Sequence, residues 1–276
     1  MSAQSTGSAE STTRGRSVDT TPLLGIMDQA RFQMAMRMSR VTQVMPYKGS
    51  DRAPFQVRLD TDMAVVPVYA SRCVFKPVKT HSKEGKWFTE SMDLMVPDAK
   101  RELLAYNIDL LCGFGLVPPV VWREIGHYGT GSLQAWVGVP SGGQWRRDFG
   151  YDYHQDTNNP WFHRLLAFDI LIGNVDRHAA NWLMDKLGRI YAIDNGYAFP
   201  KRNDCRFLSS LALKGLMGKP LSDDVKRILF SIPAEKLKNM VSDAGFRCRE
   251  ESGVLRRLNY LRKLQVWEPV GRVQPD

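Results

Sequence analysis

Two short apolar runs separated by a tight turn constrain the fold of this chain more than any other feature. The runs cover residues 181–185 and 189–193, and Asp185-Lys-Leu-Gly188 between them places a glycine where a turn needs a left-handed backbone. This pattern predicts a β-hairpin. Residues equally far from the turn lie opposite each other in a hairpin, with Cα atoms about 5 Å apart. Asn181 and Asp194 are therefore expected at the same open end.

Three polar side chains are predicted to meet at that open end. Asp176 lies in the loop that leads into the first strand, five positions before Asn181. An amide oxygen and a carboxylate suit Mg²⁺, which binds one or two protein oxygens together with water and substrate phosphates. Asn181 and Asp194 are therefore the predicted ligands of Mg²⁺, with Mn²⁺ as an alternative ion. Asp176 suits a different role, because a carboxylate can accept the proton of an attacking hydroxyl or orient that hydroxyl.

The order of these residues follows a known catalytic pattern. The spacing of Asp176 and Asn181 equals that of the base Asp and the metal-binding Asn in the protein-kinase signature, and Asp194-Asn-Gly196 stands where kinases carry Asp-Phe-Gly. The competing interpretation is an ordinary hairpin whose Asp and Asn side chains cap its loops. Each residue alone favours that interpretation, whereas the ordered set with a hairpin inside it favours phosphoryl transfer.

A lysine and a glutamate upstream form a second candidate set. Lys76 closes an apolar strand, so its ammonium group is expected to emerge beside a cleft. Glu102 lies in the first turn of a helix predicted over residues 99–111, with Asp98 as N-cap and Gly113 at the C-terminal end. A strand lysine that pairs with a helical glutamate and binds nucleotide phosphates is a kinase requirement. The alternative for Glu102 is a first-turn carboxylate that the helix dipole stabilises.

Two further segments are candidates for nucleotide contacts. Between predicted strands at 41–45 and 55–59, the turn with Gly49 and Ser50 could cover phosphates with backbone N–H groups. The alternative is an ordinary Gly-Ser turn, since no G-x-G-x-x-G pattern is present. A predicted strand at 132–137 contains Gln134 and Trp136 and leads to a connector that would offer backbone groups to an adenine edge. Residues 139–160 are predicted to be polar and irregular.

The composition is that of a soluble globular protein, with 43% hydrophobic and 24% charged residues in 276. No run approaches the roughly 20 apolar residues of a membrane span, and the N-terminus lacks the apolar segment of a secretory signal. Residues 1–22 contain ten Ser or Thr residues and are predicted to form a disordered tail. The four cysteines form no C-x-x-C pair, which favours a reducing compartment. A cytoplasmic location is therefore predicted.

The net charge of +9 has much of its excess late in the chain. Between Lys226 and Lys263 there are ten Lys or Arg residues against four Asp or Glu. Because they are interleaved with apolar residues at helical spacing, the favoured interpretation is a solvated helix face. The alternative is a face that contacts an anionic surface such as phospholipid head groups, nucleic acid or an acidic partner.

Residues 173–183 and Ile193-Asp-Asn-Gly-Tyr-Ala-Phe-Pro200 resemble the phosphatidylinositol 3-/4-kinase-like branch of the kinase superfamily. The second run is most similar to type II phosphatidylinositol 4-kinases, and the loop before it also resembles HipA-like and actin-fragmin-type protein kinases. Upstream, Val74-Phe-Lys-Pro77 and Glu102-Leu-Leu-Ala-Tyr106 resemble the lysine strand and the glutamate helix of that branch. The segments 117–119 and 132–134 resemble the next strand and the segment before the hinge, so the resemblance covers roughly residues 45–230.

This resemblance implies a bilobal, kinase-like α+β fold. The smaller N-lobe, over residues 23–138, would consist of an antiparallel sheet and the glutamate helix. The C-lobe, over residues 139–276, would be mainly helical and carry the catalytic hairpin.

The resemblance also implies roles for individual residues. Lys76 would bind the phosphates of ATP and be held by Glu102, and Asp176 would be the catalytic base. Arg177 and His178 lie in the catalytic loop, where they would position phosphate or brace the loop; His178 has an equally good interpretation as a structural hydrogen-bonder.

The implied activity is transfer of the ATP γ-phosphate to a hydroxyl, with a protein Ser or Thr favoured over a phosphoinositide as acceptor. Three alternatives stay open. The first is a phosphoinositide kinase, the second is transfer of AMP by the same residues, and the third is a nucleotide-binding scaffold without turnover.

Overall fold

The computed structural model describes residues 26–47, 54–61, 71–78, 96–200 and 213–268. It contains helices and strands in mixed order. They are α1 (Ile26–Met38), β1 (Arg40–Pro46), β2 (Phe55–Asp60), β3 (Arg72–Pro77), α2 (Asp98–Cys112), β4 (Val120–Glu124), β5 (Thr130–Ala135), α3 (Gly142–Phe149), α4 (Pro160–Ile172), β6 (Trp182–Met184), β7 (Ile190–Ala192), α5 (Leu213–Leu216), α6 (Asp223–Ser231), α7 (Ala234–Asp243) and α8 (Cys248–Lys263).

Five of the strands form one antiparallel sheet in the order β1-β2-β3-β5-β4, which confirms the predicted sheet. Its two faces differ in chemistry because side chains alternate along each strand. One face packs on α1 and is apolar, with Phe32 and Met36 of the helix among the buried side chains. The sheet contributes Phe55, Val57, Leu59, Cys73, Phe75, Val121, Leu133 and Ala135 to this cluster.

The opposite face of the sheet carries the polar residues. Lys76 pairs with Ser132 and Val74 pairs with Gln134, so these four side chains share one face. Helix α2 contacts β3, β4 and β5. The register of β3 and β5 therefore places Lys76 and Gln134 on a common surface next to the glutamate helix.

Helix α2 has its apolar side in the larger hydrophobic cluster, which also contains α4 and the C-terminal helices. Ile108 and Cys112 are buried there, so the helix is fixed to the helical part of the molecule while it contacts the sheet. The helix ends at Gly113 in the left-handed conformation, as expected. The predicted N-cap at Asp98 is wrong, because Pro97 is the N-cap and Asp98 is the first helical residue, where its charge still suits the helix dipole.

Asp109 on α2 fixes the segment that leads into β4. Its carboxylate is buried and accepts hydrogen bonds from the backbone N–H of Leu116 at 3.1 Å and of Val117 at 3.0 Å. Burial raises the pKa of Asp109 to about 7, although the two N–H groups oppose that shift. Between about pH 4 and pH 7 the folded protein therefore binds a proton at Asp109 that the unfolded chain, with an ordinary carboxyl pKa of about 3.9, does not bind.

This shift predicts that the contribution of Asp109 to stability is greatest below about pH 4 and declines as the pH rises to about 7. The slope would be at most about 1.4 kcal/mol for each pH unit. Urea unfolding of the parent chain and of Asp109→Asn at pH 5, 6, 7 and 8 measures how the free energy of unfolding depends on pH. The parent chain should lose stability over this range relative to the variant, and parallel curves would contradict the prediction.

Helix α4 directly precedes the loop that is predicted to be catalytic. It begins at Pro160 after the Asn159 side chain, which accepts a hydrogen bond from the N–H of Trp161 at 3.0 Å. Most of its residues are buried, as its apolar sequence predicts. It ends at Gly173 in the left-handed region, where a Cβ atom would approach Pro200 Cδ to 2.8 Å. A side chain is therefore excluded at this turn both by φ and by space.

Helix α3 was not expected, because residues 139–160 were predicted to be irregular. A capping box starts it: Ser141 Oγ accepts from the N–H of Gln144, and Gln144 Oε1 accepts from the N–H of Ser141. The helix ends at Gly150 in the left-handed conformation. Ser141-x-x-Gln144 with a glycine nine positions after the serine is a readable helix signal, although the two glycines inside the first turn obscure it. Within the described ranges, no helix has both the length and the apolarity to cross a membrane.

Candidate active site

The predicted hairpin is present, and it determines where the polar residues lie. Strands β6 and β7 pair antiparallel around a turn in which Gly188 is left-handed. The register places Asn181 opposite Ile193, and the N–H of Ile193 donates to the carbonyl of Asn181 at 3.1 Å. Asp194 is the next residue, so Asn181 and Asp194 do share the open end, one position out of direct opposition.

Asp194 has a backbone conformation that is unusual for a residue with a side chain. Its φ of 57° lies in the left-handed region, which Asp tolerates better than most residues. The chain changes direction there directly after β7. The Asp194 carboxylate is half exposed, and its Oδ1 accepts a hydrogen bond from Lys76 Nζ at 2.7 Å. The turn therefore brings a residue of the hairpin onto the lysine of β3.

Lys76 and Glu102 form the predicted ion pair. Lys76 Nζ donates to Glu102 Oε1 as well as to Asp194, and the Glu102 side chain is almost fully buried. The second oxygen, Glu102 Oε2, accepts from the backbone N–H of Asn195 at 3.0 Å. Glu102 thus links the sheet, α2 and the loop after β7. This link orients Lys76 toward the open end of the hairpin.

The charges of these groups reinforce each other. Burial by itself lowers the pKa of Lys76, but the carboxylates of Asp194 and Glu102 outweigh it and raise that pKa above its ordinary value. The Lys76 ammonium in turn lowers the pKa of Asp194, against the opposing effect of burial. Both groups are therefore charged at neutral pH. This is the state that binding of phosphate and of a cation requires.

Asp98 is a further carboxylate at this site that the sequence reasoning assigned only to capping. A Cβ atom built on Gly196 would lie 3.4 Å from Asp98 Cγ, so the first turn of α2 touches the loop after Asp194. Burial raises the pKa of Asp98, while Lys76 nearby opposes the shift. The Lys76 ammonium group therefore lies near three carboxyl groups, those of Asp98, Glu102 and Asp194.

Asp176 and Asn181 are joined by a short hydrogen-bonded loop. Asn181 Nδ2 donates to the backbone carbonyl of Asp176 at 2.9 Å and approaches its carboxylate at 3.5 Å. The N–H of Asp176 donates to Asn174 Oδ1 at 3.0 Å. The Asp176 side chain is about one quarter exposed, whereas Asn181 is buried. The loop thus positions the carboxylate through these hydrogen bonds and leaves part of it open to solvent.

His178 lies at the surface beside that carboxylate. Its Nε2 is 3.9 Å from Asp176 Oδ2, and half of its side chain is exposed. Its Nδ1 accepts a hydrogen bond from the N–H of Ala180 at 3.2 Å. His178 therefore both braces the loop and borders the position of Asp176, so the contacts fit each of the two interpretations of this residue.

Arg177 points the other way, into the protein. Its guanidinium group is buried and contacts both oxygens of Asp169 on α4, at 3.0–3.1 Å. It also donates to the backbone carbonyls of Asn181 and Ile193 and to the side chain of Asn195. Among its two expected roles, these contacts favour bracing of the loop, since they join α4, the loop and both ends of the hairpin.

Of the residues predicted to contact the nucleotide, the structure describes Gln134 and Trp136. Gln134 lies in β5 on the same face as Lys76, and its Nε2 is buried without a hydrogen-bond partner among the described residues. Trp136 follows β5, and its ring centroid is 5.9 Å from that of Tyr47, a residue that was not predicted. Gly49 and Ser50 lie outside the described residues. Gln134 offers an unpaired donor two strand positions from Lys76, and the Tyr47–Trp136 pair lies near Arg72 at the other end of the same strand. A purine base could use groups of both kinds.

The donor set at the hairpin would suit a divalent cation such as Mg²⁺. Because Nδ2 of Asn181 is used as a donor, its Oδ1 is the atom left for a cation, and Asp194 adds a carboxylate with a lowered pKa. No cluster of three or more His, Cys, Asp or Glu residues suited to a metal occurs in the described ranges. Two protein oxygens with the remaining positions filled by water and phosphates is the usual mode of Mg²⁺ binding at phosphotransfer sites.

Comparison with known proteins agrees with this arrangement. Residues 161–256, which run from α4 through the catalytic loop and hairpin into α8, match the family described as phosphatidylinositol 3- and 4-kinase. Protein Rv2133c of Mycobacterium tuberculosis (strain ATCC 25618 / H37Rv) is 28% identical over 216 residues, which cover 67% of this chain and 73% of that protein.

Two solved structures of one kinase have a similar fold. The crystal structure of the Golgi casein kinase has a TM-score of 0.52 at 14% identity, covering 87% of this chain and 74% of its own. The Golgi casein kinase with Mn/ADP bound has a TM-score of 0.51 at 15% identity, covering 85% and 74%. At these identities the likeness concerns the fold, and the family match concerns the catalytic segment. Together, a segment similar to the phosphatidylinositol 3- and 4-kinase family and a kinase-like fold support assignment of the chain as a phosphotransferase.

Proposed function

We propose that this kinase transfers the γ-phosphate of ATP to the hydroxyl of a protein Ser or Thr in a reaction that depends on Mg²⁺. The observation that carries the proposal is the meeting of Lys76, Glu102 and Asp194 in one hydrogen-bonded set at the open end of the catalytic hairpin. These residues come from a strand, a helix and a loop that are far apart in the sequence. Their joint placement supports a phosphate and metal site rather than ordinary loop capping.

Each group has a definite task in this proposal. Lys76, oriented by Glu102, would bind phosphate oxygens as a fixed positive charge. Asn181 and Asp194 would hold Mg²⁺, which neutralises charge on the β- and γ-phosphates. Asp176 would accept the proton of the attacking hydroxyl. The hydroxyl oxygen would bond to the γ-phosphorus while the bond between that phosphorus and the bridging β-phosphate oxygen breaks, and ADP would leave. The protein thus supplies position and electrostatic stabilisation.

The direct test is incubation with γ-labelled ATP and Mg²⁺, alone and with cell extract. We expect label on protein, and we expect Asp194→Ala to lower its rate of appearance by at least about 10³-fold, because a metal ligand and its charge are lost. Calorimetry gives a second readout: Mg²⁺ should tighten nucleotide binding to the parent chain and have little effect on the variant.

The matched control for this experiment is Asp243→Ala, which removes an exposed carboxylate at the end of α7. It should label protein at the rate of the parent chain. Equal activity of Asp194→Ala and the parent would contradict the proposal. Resolving products by mass spectrometry separates transfer of phosphate from transfer of AMP, and bound nucleotide without any product would indicate a scaffold without turnover.

A phosphoinositide remains the second candidate acceptor, because the family matched by residues 161–256 is described by its action on phosphatidylinositol. The basic C-terminal helices support this candidate, since Lys236 of α7 and Lys263 of α8 are exposed. Adding phosphoinositide vesicles to the labelling reaction distinguishes the two. Label on lipid alone would replace the protein acceptor, and label on protein alone would support it.

A further inference from the structure

Helix α3 is fixed directly to the catalytic loop. The backbone N–H of Gly143 donates to the carbonyl of Ala179, between Asp176 and Asn181, at 2.9 Å. Gly142 lies so close to the Trp182 ring that a Cβ atom would approach it to 2.1 Å. The Trp145 indole N–H donates to the carbonyl of Met184 at 2.8 Å. These contacts hold the helix in a constant position relative to the site of phosphoryl transfer.

The side of α3 that meets the catalytic loop is positively charged. Residues three and four positions apart share one face of a helix, so Arg146 and Arg147 lie on the same face as Gly143. A Cβ atom on Gly143 would lie 3.5 Å from Arg147 Nη1 and 3.9 Å from the carbonyl oxygen of Ala179. The Arg147 guanidinium therefore folds back along the helix toward the loop that carries Asp176.

Both arginines are available to a ligand. Their side chains are exposed, and neither has an ion-pair partner among the described residues. The carboxylates that follow α3 are engaged locally: Asp152 accepts from the N–H of His154 and from Gln155 Nε2, and Asp156 accepts from the hydroxyl of Tyr151. Asp148, the acidic residue of α3 itself, is five positions from Gly143 and lies on a different side of the helix.

We propose that the Arg146–Arg147 face of α3 binds acidic side chains next to the phosphate-accepting residue of a protein substrate. This inference rests on the proposed function and names its substrate class. The positive charge of both arginines supports an acidic ligand. Because α3 is attached to the loop that carries Asp176, this ligand would belong to the same molecule that accepts the phosphate.

A peptide fits this surface better than a membrane does. Insertion of a helix into a lipid interface needs a broad apolar face opposite the basic one. On α3 the Trp145 indole is used inward, and Phe149, which is 61% exposed, is the large apolar side chain left at the surface. Two guanidinium groups and one ring form a short contact area, which suits a few residues of an extended chain.

The test uses a peptide with one Ser among several Glu residues and the same peptide with every Glu changed to Gln. The parent chain should phosphorylate the Glu peptide with a kcat/KM roughly tenfold above that of the Gln peptide, mainly through KM. In the double variant Arg146→Glu/Arg147→Glu this ratio should fall to about one or below. Arg146→Gln/Arg147→Gln should give an intermediate ratio.

Binding is measured separately from turnover with fluorescent peptides in which the Ser is replaced by Ala. The parent chain should bind the Glu version roughly tenfold more tightly, and the double variant should lose this preference. The matched control is Arg249→Glu/Arg256→Glu on α8, which changes the net charge equally and should leave the preference intact. Circular dichroism melting verifies that each variant is folded.

The outcomes separate this inference from the proposed function. Equal binding of both peptides, with phosphate transferred to either, overturns the acidic specificity and leaves the kinase activity standing. Preferential binding of the Glu peptide that the double variant loses, without transfer to any peptide, supports the surface and overturns the protein-kinase activity. Loss of binding to phosphatidylserine vesicles in the double variant, with no peptide preference in the parent, assigns the face to a membrane and overturns the proposal.

Discussion

Replacing Asp176 by Asn is expected to slow phosphate transfer by roughly 10³-fold while ATP binds nearly as tightly as to the parent chain. The two effects separate because Asp176 is not part of the set that joins Lys76, Glu102 and Asp194. The amide keeps the size of the carboxylate and the contact with Asn181, so the loop should keep its conformation. What it loses is the ability to accept the proton of the attacking hydroxyl.

Single-turnover transfer measured with γ-labelled ATP and nucleotide affinity measured by calorimetry check this expectation together. Asp223→Asn is a suitable control, because Asp223 is an exposed carboxylate at the start of α6, and it should behave like the parent chain. A variant at position 176 that retains more than about a tenth of the parent rate would show that another group takes the proton. A variant with greatly weakened ATP binding would instead place Asp176 in the nucleotide site.

The catalytic hairpin could be predicted from sequence because its signals are local. The turn requires a left-handed residue and has Gly188, and the apolar runs on either side set its length. A hairpin brings its two ends together without help from the rest of the fold. The shared location of Asn181 and Asp194 follows from that geometry alone. The geometry of a hairpin does not predict that Asn181 pairs with Ile193 rather than with Asp194. This one-residue offset depends on the register in which the two strands pair.

The ion pair of Lys76 and Glu102 was predicted for a different reason. Its members lie on separate elements, so neither spacing nor periodicity links them, and the link came from the order of strand, helix and hairpin in known kinases. Sequence could not indicate that Lys76 also binds Asp194, or that Glu102 also holds the N–H of Asn195. Those contacts depend on the left-handed turn at Asp194 and on the packing of α2 between the sheet and the helices.

One part of the site was missed and the role of another was left open, because their signals are weak or not local. Helix α3 starts with two glycines, which lower helix propensity and hid the Ser141–Gln144 capping box. The buried contacts of Arg177 use backbone carbonyls and a carboxylate on α4. Nothing in the sequence marks a carbonyl as a partner, so the choice between phosphate positioning and loop bracing for Arg177 depended on the fold.

Arg177→Met is expected to cause the largest loss of stability of any change near the site, lowering the free energy of unfolding by about 3–5 kcal/mol. The variant leaves Asp169 as a buried carboxylate without its counter-ion, since Arg177 supplies three hydrogen bonds to it. The carbonyls of Asn181 and Ile193 each lose the Arg177 donor as well, although that of Asn181 keeps the N–H of Ile193. Chemical denaturation measures the loss directly.

The pH dependence of that loss distinguishes an unpaired charge from a simple packing defect. Burial already raises the pKa of Asp169, and Arg177 opposes the shift, so the variant should have a still higher folded-state pKa at this position. Because the unfolded carboxyl titrates near pH 3.9, protonation then favours the folded variant, whose stability should recover as the pH falls toward 4 and decline as it rises.

The double variant Asp169→Leu/Arg177→Met removes the unpaired buried charge and should regain part of the lost stability at pH 7. Two results would mean that the Arg177–Asp169 pair does not hold the loop and hairpin together. One is a loss of less than about 1 kcal/mol of unfolding free energy in Arg177→Met. The other is a loss in the double variant that exceeds the summed losses of the two single variants.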